Sequence, residues 1–110
     1  MTSKTLASSK RATLPRASDY TKSFLQDWAR LSRSGRHNMK QLKEAMLLLI
    51  AHDEPLGPEW LDHPLKGDWV NHRECHISGD FLLIYRLHGK AQREMVVFVR
   101  AGTHAELFND

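Results

Sequence analysis

Arg73-Glu74-Cys75-His76-Ile77-Ser78-Gly79-Asp80-Phe81-Leu82-Leu83-Ile84-Tyr85-Arg86-Leu87 is the stretch that decides the fold. It divides into two strands joined by a tight turn. Ser78-Gly79-Asp80 makes the turn, and Gly79 supplies the positive φ that short hairpin loops often need. The second strand, from Phe81 to Leu87, is rich in the apolar, aromatic and branched residues that fill a pleated surface. Glu74, His76 and Asp80 sit on and beside this apolar frame. All three can move protons, so the hairpin predicts a site as well as a core.

Downstream, His88-Gly89-Lys90 forms a second turn before a strand over residues 94–100. Val96, Phe98 and Arg100 alternate with Met95, Val97 and Val99. Both faces are largely apolar, which predicts a central strand with Arg100 as its odd member. A turn at Gly102-Thr103-His104 leads to a short segment ending in Leu107-Phe108.

Upstream, the strand pattern begins near residue 68. Before it, Pro55, Gly57, Pro58 and Pro64 break regular structure over residues 53–66. Two helical patterns precede that loop. In the first, Ser18 and Asp19 offer N-caps, Phe24, Leu25, Trp28 and Leu31 follow helical spacing, and Gly35 ends the run. The second spans about 38–51, with Met39, Leu42, Met46, Leu49 and Ile50 on one stripe. Residues 12–17 suit a short edge strand, because Pro15 cannot donate to a central ladder. Residues 1–12 are expected to form a flexible basic tail, leaving residues 13–110 as one domain. The expected fold is α+β: a small antiparallel sheet with an N-terminal helical hairpin packed on it.

The chain has 110 residues, 41% of them hydrophobic, with net charge +3 and pI near 9.2. A modest basic excess favours polyanionic partners such as RNA. The single cysteine, Cys75, excludes an intrachain disulfide and fits a reducing compartment. It shares strand parity with Ile77, which predicts a small buried residue. With no signal-peptide pattern and no membrane span, the sequence predicts a cytoplasmic protein without a membrane partner.

The groups able to do chemistry are His63 in the loop, Glu74, His76 and Asp80 on the hairpin, Arg100 at a strand end and His104 just after it. Histidine gives and takes protons near neutral pH, and arginine holds phosphate. Together on a basic protein they suit cleavage of a phosphodiester without a metal. His72 and His76 are four apart, the zinc spacing of a helix, but along a strand they stand about 13 Å apart. No metal and no other cofactor is expected.

Four segments now carry a resemblance. Asp62-His63-Pro64-Leu65-Lys66-Gly67-Asp68-Trp69, Arg73-Glu74-Cys75-His76-Ile77, Asp80-Phe81-Leu82-Leu83-Ile84-Tyr85-Arg86 and Arg100-Ala101-Gly102-Thr103-His104-Ala105-Glu106-Leu107-Phe108 resemble, in order and spacing, the YafQ group of the RelE superfamily of toxins. The resemblance covers roughly residues 13–109. It implies a ribosome-dependent endoribonuclease, the toxin of a type II toxin–antitoxin pair. Such an enzyme cuts mRNA in the decoding site by attack of a 2′-hydroxyl on the adjacent phosphate. Its implied partners are mRNA on the ribosome and a cognate antitoxin, with no DNA except through the antitoxin complex. Carried over by position, His104 would be the general acid and His63 or Asp80 the base. Arg100 would stabilise the phosphorane, His76 would position the phosphate, and Phe108 would stack on a base. Lys66, Arg73 and Phe81 would also contact substrate. Phe81 stands where the family often has Trp, and Glu74 where it has Asp. The other reading is an inactive module of the same fold that binds RNA, the ribosome or an antitoxin.

Overall fold

The computed structural model describes residues 14–108. The tail expected at 1–12 lies outside them. In chain order the elements are β1 (Ala17–Tyr20), α1 (Lys22–Ser34), α2 (Met39–Ala51), β2 (His63–Pro64), β3 (Arg73–Ser78), β4 (Phe81–His88), β5 (Met95–Thr103) and α3 (His104–Phe108). The strands form a single sheet in the order β1-β5-β4-β3-β2. The fold is α+β, and β5 is internal, between β1 and β4.

The sheet is mixed, not antiparallel throughout. β1 runs parallel to β5, with Ser18 opposite Val96 and Asp19 opposite Val97. Strand pairing therefore claims the two residues expected to cap the first helix, and the edge strand falls at 17–20 instead of 12–17. Thr21 is the cap: its hydroxyl accepts the Phe24 N–H and donates to the Val99 carbonyl at 2.8 Å. One side chain thus starts α1 and ties it to β5. Thr21→Ala should cost about 1 kcal/mol, read from urea unfolding midpoints. No change in stability would show that the cap is dispensable.

Gly35, at φ 68°, ends α1 in the left-handed conformation that glycine takes without a Cβ penalty. Asn38 caps α2 by accepting the Gln41 N–H. The last carbonyls of α2 receive an unexpected partner. The buried Arg16 guanidinium donates to Leu49 O at 2.7 Å and His52 O at 2.6 Å.

The hairpin turn makes Ser78 partner Phe81 across Gly79 and Asp80. Residues 67–69 form a 3-10 turn instead of the start of a strand, so β3 begins only at Arg73. Side chains then sort to two sides. Leu83, Tyr85, Val96 and Phe98 pack against Phe24, Leu31, Leu42 and Leu49 of the helices. Leu82, Ile84, Val99 and Leu107 make a smaller cluster on the opposite face. A register shift in β5 alters the expected alternation. Tyr85 faces Phe98 and Ile84 faces Arg100, so Val99 is passed over. Past this bulge Ala101, not Arg100, continues the helix-side row of Val96 and Phe98. Among the described residues, no helix is long and apolar enough to cross a membrane.

Candidate active site

The cross-strand register builds the site. His63 on β2 faces Glu74 on β3, Glu74 faces Ile84 on β4, and Ile84 faces Arg100 on β5. His76 faces Leu82 one row further along. These rows lie on the sheet face that carries the smaller apolar cluster, away from α1 and α2.

Three imidazoles line up there. The ring centroids of His63 and His76 are 6.2 Å apart, and those of His76 and His104 are 6.1 Å apart. The row of rings continues through Phe108, 5.8 Å from His104, to Trp69, 5.9 Å from Phe108. Glu74 is 4% exposed and lies beneath the first two histidines. One of its oxygens, Oε2, is 3.2 Å from His63 Nε2 and 3.4 Å from His76 Nε2. His63 Nδ1 is 2.8 Å from the Leu61 carbonyl, so it must carry a hydrogen and donate it.

His104 owes its position to a capping box. Thr103 Oγ1 accepts the Glu106 N–H, and Glu106 Oε1 accepts the Thr103 N–H at 2.8 Å. This starts α3 where β5 ends, with His104 as its first residue. The His104 ring and backbone N–H both reach Asp80 Oδ1. These two contacts hold the Asp80 carboxyl below its ordinary range, so it stays ionised near neutral pH. Nδ1 of His104 is thereby occupied.

Arg100 is fixed from the helix side. Asp27 of α1, 4% exposed, accepts from Arg100 Nε at 2.7 Å and Nη2 at 3.1 Å, and from the Ala101 N–H at 3.0 Å. Arg30 joins the same carboxylate and reaches Glu106 at 2.6 Å. Burial pushes the Asp27 carboxyl up. Its hydrogen bonds, that from Arg100 foremost, outweigh burial and hold it below its ordinary value. The stability that Asp27 contributes is therefore complete above the unfolded-state pKa of about 3.9 and is lost as pH falls through the lower folded-state value. Measured against Asp27→Asn, the wild type should lose its stability advantage only below about pH 4. An advantage independent of pH down to acid unfolding would contradict this.

Not every residue expected at the site reaches it. Phe81 is 3% exposed within the helix-side core, with its ring 4.8 Å from His37, so it is not placed to meet substrate. Arg73 pairs with Tyr85 on the helix side and donates from Nε to Asp62 at 3.1 Å. The Tyr85 hydroxyl donates to the same carboxylate. Both therefore anchor the loop residue next to His63. Lys66 is exposed just before the 3-10 turn, in none of the contacts that join the imidazoles. Cys75 is fully buried, and burial raises its thiol well above the ordinary range, which rules out an activated nucleophile.

Two parts of the site went unread in the sequence. Asp27 lies between Phe24 and Leu31 on the apolar stripe of α1, and a carboxylate there signals a buried partner. Thr103-His104-Ala105-Glu106 carries the capping-box spacing.

The same fold occurs in known proteins. Residues 16–109 match the family model described as the bacterial toxin of a type II toxin–antitoxin system, YafQ. The mRNA interferase toxin YafQ of Escherichia coli K12 is 39% identical over 90 residues, covering 82% of this chain and 92% of that protein. The crystal structure of the E. coli DinJ–YafQ toxin–antitoxin complex superposes with TM-score 0.73 at 36% identity, covering 86% of this chain and 99% of that one. A metal-bound toxin from Helicobacter pylori superposes with TM-score 0.72 at 38% identity, covering 84% and 99%. A match over almost the whole folded chain, on a fold that brings three histidines to one sheet face, places this protein in the YafQ family of type II toxin–antitoxin toxins.

Proposed function

We propose that this toxin is an endoribonuclease that cuts mRNA on the ribosome, in the decoding site, by general acid–base catalysis with the RNA's own 2′-hydroxyl as nucleophile. The observation that carries the reading is the row of three imidazoles with Arg100 on the same sheet face. A phosphodiester needs a base on one side, an acid on the other and a cation at the developing charge. His63, backed by Glu74, takes the proton of the 2′-hydroxyl at Nε2. His76 lies between His63 and His104, where a phosphate would sit. Arg100 brings a guanidinium that its hydrogen bond to Asp27 keeps firmly protonated. His104 returns a proton from Nε2 to the leaving 5′-oxygen. In this scheme Asp80 orients His104 and takes no proton itself, so the base is His63. Phe108 offers its ring to a neighbouring nucleobase.

The name of the E. coli relative, an mRNA interferase, supports the substrate, and the DinJ complex supports a protein antitoxin as the partner. The cytoplasm, where mRNA and ribosomes meet, is the matching location. The decisive experiment is cleavage of mRNA in a purified translation system, with and without ribosomes. Cuts that appear only with ribosomes are expected. Equal cutting of free RNA would remove ribosome dependence, and no cutting beside tight ribosome or antitoxin binding would leave a binding module.

A further inference from the structure

His63 can serve as a base only if its hydrogen sits on the right nitrogen. With the hydrogen on Nδ1, the ring donates to the Leu61 carbonyl at 2.8 Å and keeps a lone pair on Nε2. With the hydrogen on Nε2, that nitrogen would face Glu74 Oε2, 3.2 Å away, and have no lone pair to offer. Hydrogen bonds to charged acceptors are the stronger kind. The Leu61 carbonyl therefore has to be held in place, or the carboxylate draws the hydrogen to the wrong nitrogen.

The backbone that presents this carbonyl is strained. Leu61 has φ 48° and ψ 41°, the left-handed conformation that a residue with a Cβ avoids. Its side chain is exposed, so no packing of its own offsets the strain. Such conformations persist only where the surroundings over-determine them. Here one support lies on each side. The Leu61 N–H donates to the Pro58 carbonyl at 3.1 Å, closing a 3-10 turn whose Trp60 is buried in the helix-side core. On the other side Asp62 turns away from His63, as neighbours on an extended segment do. Its carboxylate accepts from the Tyr85 hydroxyl and from Arg73 Nε at 3.1 Å. Both donors stand on the helix side of the sheet.

We propose that Asp62 is a positioning residue for RNA cleavage: anchored by Tyr85 and Arg73, it holds the Leu61 carbonyl against His63 Nδ1 and so fixes the tautomer whose Nε2 can take the 2′-hydroxyl proton. The effect on cleavage rests on the mechanism above, while control of the tautomer rests on geometry alone. The Asp62 side chain is 8% exposed and carries no proton in the reaction. Tyr85 belongs to the same device. Its ring is buried in the core between sheet and helices, but core packing needs no hydroxyl, and the hydroxyl goes to Asp62. A contact on one side of the sheet thus sets the chemistry of an imidazole on the other.

The test reads the ring-nitrogen resonances of His63 in full-length toxin carrying isotope-labelled histidine, at a pH where the ring is neutral, beside single-turnover cleavage on the ribosome. His63→Gln assigns the signals. In the wild type Nδ1 should carry the hydrogen. Asp62→Ala should give a mixture of both tautomers and slow cleavage roughly 10²-fold, the scale of a misplaced catalytic group, with ribosome affinity unchanged. Tyr85→Phe keeps the ring in the core, so it carries the test if Asp62→Ala loses its fold, and it should show the same two changes in smaller degree. Asp62→Asn, which can still accept a hydrogen bond, should recover part of both. A purely structural role would lower unfolding midpoints and leave the tautomer alone. A single Nδ1–H form in Asp62→Ala and Tyr85→Phe would overturn the clamp. Mixed tautomers with an undiminished cleavage rate would overturn the positioning role. A wild type that cleaves nothing, while His63 still changes tautomer in the variants, would refute the enzymatic reading and leave the clamp standing.

Discussion

His104→Ala should cleave ribosome-bound mRNA about 10²- to 10⁴-fold more slowly than wild type, the usual worth of a positioned proton donor. The residue lies at the surface, so stability should change by no more than about 0.5 kcal/mol. That contrast separates lost chemistry from lost fold. The measurement is a single-turnover rate in the purified translation system beside an unfolding curve. Asp80→Asn sharpens it. The amide keeps an oxygen for the His104 ring but loses the charge that steadies an imidazolium, so the chemical step should slow while ribosome affinity holds. A His104→Ala rate within tenfold of wild type would assign the acid elsewhere on the sheet face.

Asp27→Ala should destabilise the protein by about 3 kcal/mol, the scale of breaking one side of a buried ion pair. The carboxylate serves Arg100, Arg30 and the Ala101 N–H together. Its removal leaves the Arg100 guanidinium and the buried Ala101 amide without the acceptor they share, while Arg30 keeps Glu106. Cleavage should fall too, because Arg100 loses the bidentate clamp that holds its direction. Urea unfolding and the same single-turnover assay read both effects. A loss below about 1 kcal/mol with full activity would show that Arg100 is positioned by the strand alone. Asp27→Asn should fall between, since it can still accept from one donor.

Local chemistry made much of this legible. The hairpin around Gly79 and the second helix follow from turn residues and apolar spacing, and the structure places both there. His63, His76, Asp80, Arg100 and His104 were legible as candidates because each is a reactive group beside an apolar strand. The parallel β1 was not, because its partner lies near the far end of the chain and no short-range pattern marks that pairing. The bulge at Val99 also escaped, since alternation in β5 reads as unbroken. Phe81 is different, because the information was present. A two-residue turn puts Phe81, Leu83 and Tyr85 on one side and Leu82 and Ile84 on the other. Applied strictly, that alternation sends Phe81 to the core and keeps His76 at the surface.

Thr21 reaches Val99, and Asp27 reaches Arg100, across gaps of 78 and 73 residues. During synthesis, the first strand and first helix emerge long before the segment that pairs with them. Until that segment leaves the ribosome, Arg100 has no clamp and His104 no helix to stand on. The site therefore assembles only once the end of the chain can fold back onto its beginning.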